Sequence, residues 1–310
     1  MNTFEEYLEF ARANGIDVTD LNALGDQPEF HEVDGEEGEF DPFFVEMPEE
    51  DGVVATSNKK LAIFLHGFKP TGGRAPFTQE QANRGDYADY TRFFNALKRR
   101  LPGYACFITA YDTHQSFHIS GVNIANFFKT LGDRYDLTKT IIVGYSMGGL
   151  VGRTICMHGL PFAKLYTTCT PHKGVLPYLL GNIAGQGFFF FNKGASSMNP
   201  WSADLRRLNN SDGRYLSKYY CHGINYTDAR PPNFWKNDDT ITGCNEATMV
   251  GRRVAYRWAT HIGLLNTIDS FPGTDLPMPF QPHLRGYADI KEWGSDRWAP
   301  QEFVNKVSGV

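Results

Sequence analysis

Apolar residues in this chain fall into short continuous runs separated by longer stretches of helical character. Runs at 61–65, 104–110, 140–144, 164–169, 219–225 and 252–258 are rich in β-branched and aromatic residues. Such unbroken runs suit strands that are covered on both faces. Helical stretches near 87–100, 117–132 and 148–158 lie between the earlier runs, and a further helix is expected at 3–13. Strands alternating with helices predict a mostly parallel central sheet flanked by helices, an α/β architecture. The acidic, glycine-containing stretch at 32–51 reads as an exposed arm, and the tail from His283, with Trp293 and Trp298, as a C-terminal cover. No internal repeat is present.

One run carries chemistry. Ile141-Ile142-Val143 leads directly into Gly144-Tyr145-Ser146-Met147-Gly148, and a helical stretch opens at Gly149-Leu150. Gly-x-Ser-x-Gly between a strand and a helix is the setting of a nucleophile elbow, which holds a serine Oγ out at the carboxyl edge of a sheet. The turn forces the serine into a strained backbone conformation, and side chains at Gly144 or Gly148 would collide with the neighbouring strand and helix.

A serine so placed needs a base and an acid, in the chain order Ser, Asp or Glu, His. Of the nine histidines, His158, His172, His222, His261 and His283 follow Ser146. His261 sits in Thr260-His261-Ile262-Gly263, just after the run at 253–258, where a loop lets an imidazole reach back over the sheet edge. His158 falls in a helix, His222 in a strand, His283 in a Pro-rich tail, and His172 precedes any acid. For the acid, Asp238 and Asp239 stand side by side in Asn237-Asp238-Asp239-Thr240-Ile241. In related elbows a small residue and then apolar or β-branched ones follow the acid, a pattern that Asp239 matches better than Asp238. Asp228 is a third option. The oxyanion donors would be the backbone N–H groups of Met147 and Phe68. Phe68 lies in His66-Gly67-Phe68-Lys69, after the strand at 61–65. His66 reads as structural, its ring bonded within that loop. The glycine-rich continuation lacks the Gly-Lys-Ser/Thr ending of a phosphate loop.

Taken together, Leu65-His66-Gly67-Phe68, Gly144-Tyr145-Ser146-Met147-Gly148-Gly149, Cys169-Thr170-Pro171-His172-Lys173-Gly174 and His261-Ile262-Gly263-Leu264-Leu265 resemble the α/β-hydrolase lipases, especially the bacterial triacylglycerol lipase and esterase group. The segment Ser197-Met198-Asn199-Pro200-Trp201-Ser202 resembles that group's connection between its sixth and seventh strands. The likeness implies an α/β-hydrolase fold, with Ser146, Asp239 and His261 as nucleophile, acid and base. Two features depart from the pattern. Tyr145 replaces the histidine that many such lipases carry, and an extra piece at 228–235 precedes the acid.

Composition narrows the class. The chain has 310 residues, of which 41% are hydrophobic and 21% charged, enough for one sizeable core. A single domain over 1–310 is expected, with an N-terminal helix and acidic arm at 1–58, a cap or lid insertion at 174–215 and an extension at 270–310. The formal net charge of −5 argues against a nucleic-acid partner. No run of about 18 apolar residues is present. Met1-Asn2-Thr3-Phe4-Glu5-Glu6 lacks the basic and apolar regions of a signal peptide. The five cysteines are widely spaced and odd in number, which reads as free thiols in a cytoplasmic protein.

Within the insertion, Phe188-Phe189-Phe190-Phe191 fits neither helical nor strand amphipathicity, so both faces must meet something apolar. The run reads as part of a lid that covers an acyl pocket or touches lipid, or as a piece packed on the core that shapes the pocket. The expected substrate is a small-molecule or lipid ester, with transient contact to a lipid interface and no metal or organic cofactor. Hydrolysis of carboxylic esters is the leading expectation. A phospholipase or acyltransferase would use the same triad, and a non-catalytic lipid- or partner-binding protein is the rival from another class.

Overall fold

The computed structural model describes residues 42–48, 59–69, 75–175, 192–225, 252–257, 292–293, 306–307 and 309. The described residues form an eight-stranded sheet. Its strands are β1 (Phe43–Glu46), β2 (Lys59–Leu65), β3 (Tyr104–Ala110), β4 (Tyr135–Tyr145), β5 (Lys164–Thr168), β6 (Tyr219–Asn225), β7 (Arg252–Arg257) and β8 (Glu292–Trp293), in the order β1-β3-β2-β4-β5-β6-β7-β8. Every neighbouring pair is parallel except β1 with β3. All six strands expected from the apolar runs are present.

The helices are α1 (Gln79–Asn83), α2 (Thr91–Arg99), α3 (Phe117–Lys129), α4 (Met147–Met157), α5 (Lys193–Ser197) and α6 (Ala203–Ser211). The helix expected at 87–100 begins as a 3-10 turn at Ala88–Tyr90 and continues as α2. Local signals set several starts. Thr78 and Gln81 form a reciprocal capping box ahead of α1, Ser116 caps α3, and Ser202 accepts the Leu205 N–H at α6.

Strand pleat divides the core into two layers. In β2, Leu61, Ile63 and Leu65 join one apolar cluster with α3 and α4, while Ala62 and Phe64 join another with Phe93, Phe94 and Leu97 of α2. Helix α4 is apolar apart from Arg153 and Thr154 and is buried from Met147 to Cys156, as befits an element covered on every side. The sheet is covered on both faces, as the alternation of elements predicted.

Three expectations need correction or completion. Residues 43–46 are not part of an exposed arm but form the antiparallel edge strand β1. Val45 and Met47 are buried, and the Phe44 ring stacks on Phe127 at 3.7 Å between centroids. The apolar triplet Phe43-Phe44-Val45 is short and set among acidic residues, so its pull toward the sheet is easily overlooked. The tail contributes β8, which pairs with Val254 and Ala255 of β7. In the expected cap at 174–215, the described part packs on the main core: Ala195, Met198, Leu205 and Leu208 are buried in the cluster that holds α4. The Val175 N–H also bonds to Met198 O. Phe188 to Phe191 and the helix expected at 3–13 lie outside the described residues. Among the described residues, no helix is long and apolar enough to cross a membrane.

Candidate active site at the strand–helix turn

Strand β4 ends at Tyr145 and α4 begins at Met147, so a single residue, Ser146, makes the turn. Its backbone stands at φ 53 and ψ −126, a left-handed conformation rare for any residue but glycine. Hydrogen bonds over-determine it: the Ser146 N–H donates to Thr168 O at 2.9 Å, and Ser146 O accepts from the Gly149 N–H at 3.0 Å. The flanking glycines are required by space. A Cβ on Gly144 would lie 2.5 Å from Gly148 O, and one on Gly148 would lie 2.4 Å from His66 O. The Ser146 side chain is mostly enclosed, with 8% exposure.

The loop after β2 presses against this turn. A Cβ on Gly67 would come within 2.9 Å of both Ser146 Cβ and the Tyr145 ring. His66 holds the loop. Its Nδ1–H donates to Gly67 O at 2.8 Å and its Nε2 accepts the Tyr111 N–H at 3.2 Å, a pairing only the neutral ring can make. Burial drives its pKa down to about 3, so the neutral form is secured. The ring stacks on Tyr111 at 4.1 Å. His66 is therefore structural, as its place in the loop suggested. Phe68 follows Gly67 directly and is half-buried. Met147 is the first residue of α4, where N–H groups have no partner within the helix and the dipole favours negative charge.

Of the described histidines that follow Ser146, two are hydrogen-bonded elsewhere. His172 is buried, accepts from Arg153 at Nδ1 (3.3 Å) and donates from Nε2 to Thr167 Oγ1 (3.0 Å). Burial and the adjacent guanidinium hold its pKa well below normal. His222 in β6 donates from Nδ1 to Thr167 O at 3.0 Å, and burial lowers its pKa to about 3. His158 caps the end of α4. Asp228, Asp238, Asp239, His261 and Phe188 to Phe191 lie outside the described residues. The ends of the strands that lead to them are described: Asn225 of β6 pairs with Arg257 of β7. Both parallel strands thus finish at the sheet edge where β4 delivers Ser146.

Sequence reasoning missed three features of this edge. Tyr90 and Tyr111 both bond to the His66–Gly67 peptide, over sequence separations that leave no local pattern. Cys169, which follows β5 beside the elbow, is a second non-glycine residue at positive φ, 55. Arg153, at 0% exposure within α4, pairs with Asp212 at 2.7 Å and with Asn209 at 2.8 Å. A lone arginine in an otherwise apolar helix was the available signal for that buried pair.

The chain matches no protein-family model, and no curated protein matches it in sequence. Solved structures do match. The mature form of lipase BlEst2 from Bacillus licheniformis superposes with a TM-score of 0.53 at 18% identity, covering 74% of this chain and 95% of that one. Its propeptide form gives 0.50 at 17%, covering 74% of this chain and 52% of the longer one, so this chain spans about half of that form. At such identities the likeness establishes architecture. The mostly parallel sheet flanked by helices agrees with it: the chain has an α/β-hydrolase fold.

Proposed function

We propose that this protein is a serine hydrolase that cleaves carboxylic esters, with a lipase- or esterase-like substrate range. The observation that carries the reading is Ser146 itself. A serine held at positive φ between a buried strand and a buried helix, against the His66–Phe68 loop, suits a nucleophile better than a packing residue. In this reading His261 is the base and Asp239 the acid, with Asp238 and Asp228 as the competing acids. Their positions after β7 and β6 support the assignment, as does the commitment of His66 and His172 to other bonds.

The chemistry follows. Ser146 Oγ adds to the ester carbonyl while His261 Nε2 takes its proton, and Asp239 orients the ring and stabilises the imidazolium. The N–H groups of Phe68 and Met147 receive the oxyanion. Collapse expels the alcohol, which takes the proton from His261, and leaves an acyl-serine. Water, deprotonated by His261, then adds to the acyl group and releases the acid. Within the insertion at 174–215, Phe188, Phe189, Phe190 and Phe191 line the acyl pocket and meet lipid surfaces. Buried free thiols at Cys106, Cys156, Cys169 and Cys221 support a reducing compartment.

The test is hydrolysis of p-nitrophenyl esters from acetate to palmitate. Wild type should turn over, and Ser146→Ala should lose about three or more orders of magnitude in kcat. Asp239→Asn should lose on the order of 10⁴-fold, while Asp238→Asn should cost little. The reverse order would move the acid to Asp238, and an inactive wild type would refute the reading.

A further inference from the structure

The two peptide units that lead to the Phe68 N–H are gripped by side chains at every polar atom the loop offers to the core. In the His66–Gly67 peptide, the carbonyl accepts the Tyr111 hydroxyl and the N–H donates to the Tyr90 hydroxyl at 3.1 Å. In the Gly67–Phe68 peptide, the carbonyl accepts from His66 Nδ1 at 2.8 Å. A trans peptide sets its N–H opposite its carbonyl, so anchoring Gly67 O to the His66 ring aims the Phe68 N–H away from that ring. The first peptide can rotate only by breaking both phenol bonds, and the second is held through the His66 ring, which Tyr111 stacks on and bonds at Nε2.

The two phenols are themselves fixed. Tyr90 is buried, stacked on Phe94 at 5.5 Å and set edge-on to Tyr145 at 5.8 Å, and Tyr145 adjoins Ser146. Tyr111 is buried under the His66 ring. Burial pushes both hydroxyls up from the ordinary phenol pKa, so both stay neutral. A neutral phenol accepts and donates without bringing a negative charge toward a developing oxyanion.

We propose that Tyr90 and Tyr111 are positioning residues for acyl-oxygen binding, a pair of phenols that clamps the His66–Gly67 peptide and thereby aims the Phe68 N–H at the oxyanion. This rests on the reading of Phe68 as an oxyanion donor. The clamp leaves substrate binding untouched and acts on the transition state, because the oxyanion exists only there.

The experiment compares wild type, Tyr90→Phe and Tyr111→Phe on p-nitrophenyl butyrate, with rates referred to active sites titrated by a fluorophosphonate. A trifluoromethyl ketone serves as the probe, since its hemiketal carries the oxyanion. Tyr90→Phe should lose about 10- to 100-fold in kcat with KM within about threefold, and the ketone should bind more weakly by a similar factor. Tyr111→Phe keeps the ring on His66 and the backbone N–H to Nε2, and should lose about tenfold by the same two readouts. It carries the test if Tyr90→Phe does not fold. Variants whose kcat and ketone affinity per titrated site match an active wild type would overturn the clamp, whatever their melting temperatures. A wild type with neither turnover nor labelling would overturn the underlying reading and the clamp with it.

Discussion

Ser146 occupies a backbone conformation that costs on the order of 1–3 kcal/mol for a non-glycine residue, and the fold bears it at one edge of the sheet. The residues around it are kept neutral. His66, His172 and His222 are buried and hydrogen-bonded as uncharged rings. Burial holds His66 and His222 down at about 3 and His172 well below its ordinary value. An unfolded chain protonates these rings below about pH 6.5, while the folded one does not, so the unfolded state binds more protons there. The contribution of His66 and His222 to stability is full above about pH 6.5 and is lost as pH falls toward about 3, and that of His172 is lost in the same direction. His66 and His222 should each therefore cost about 2 kcal/mol of stability at pH 5 relative to pH 7. Urea unfolding at the two values checks this, and equal midpoints would contradict it. At this scale the elbow was legible because strain demands glycines at fixed spacing. The roles of Tyr90 and Tyr111 were not, because their partners lie 23 and 45 residues away in sequence.

Two elements, α4 and α6, are tied together by charge inside the core. Arg153 reaches from α4 to Asp212, which caps the end of α6, to Asn209 within it, and to His172 after β5. Removing one partner of a buried pair leaves the other charge without water or counterion. Asp212→Ala should accordingly lower stability by about 3–5 kcal/mol. Arg84→Ala breaks a pair on α1 whose side chains are 64% and 81% exposed, and should change it by less than about 1 kcal/mol. Denaturant midpoints compare the two, and similar losses would contradict a special role for the buried pair. The strands were legible as elements because burial on both faces leaves unbroken apolar runs. Strand β1 was not, since four residues at a sheet edge need only one buried position, Val45, and the acidic neighbours dominate the pattern. The packing of α5 and α6 on the core was hidden for a different reason: Ala195, Met198, Leu205 and Leu208 are spread over two short helices and a turn.

Across the whole molecule, the parallel order β3-β2-β4-β5-β6-β7 brings the ends of β2, β4, β5, β6 and β7 to one edge. Open α/β sheets bind ligands outside those carboxyl ends. The edge carries the His66–Phe68 loop after β2, Ser146 after β4 and Cys169 after β5, in spatial order. Composition and alternation were enough to read this architecture. Assembly of the acid and base with Ser146 rests on contacts between distant segments, for which residue order gives only candidates. The role proposed for Ser146 is that of an activated nucleophile. The most direct measurement is the intact mass of wild type and of Ser146→Ala after treatment with a fluorophosphonate. One covalent adduct is expected on the folded wild type and none on the folded variant. An unmodified wild type, or an adduct that persists in Ser146→Ala, would contradict it.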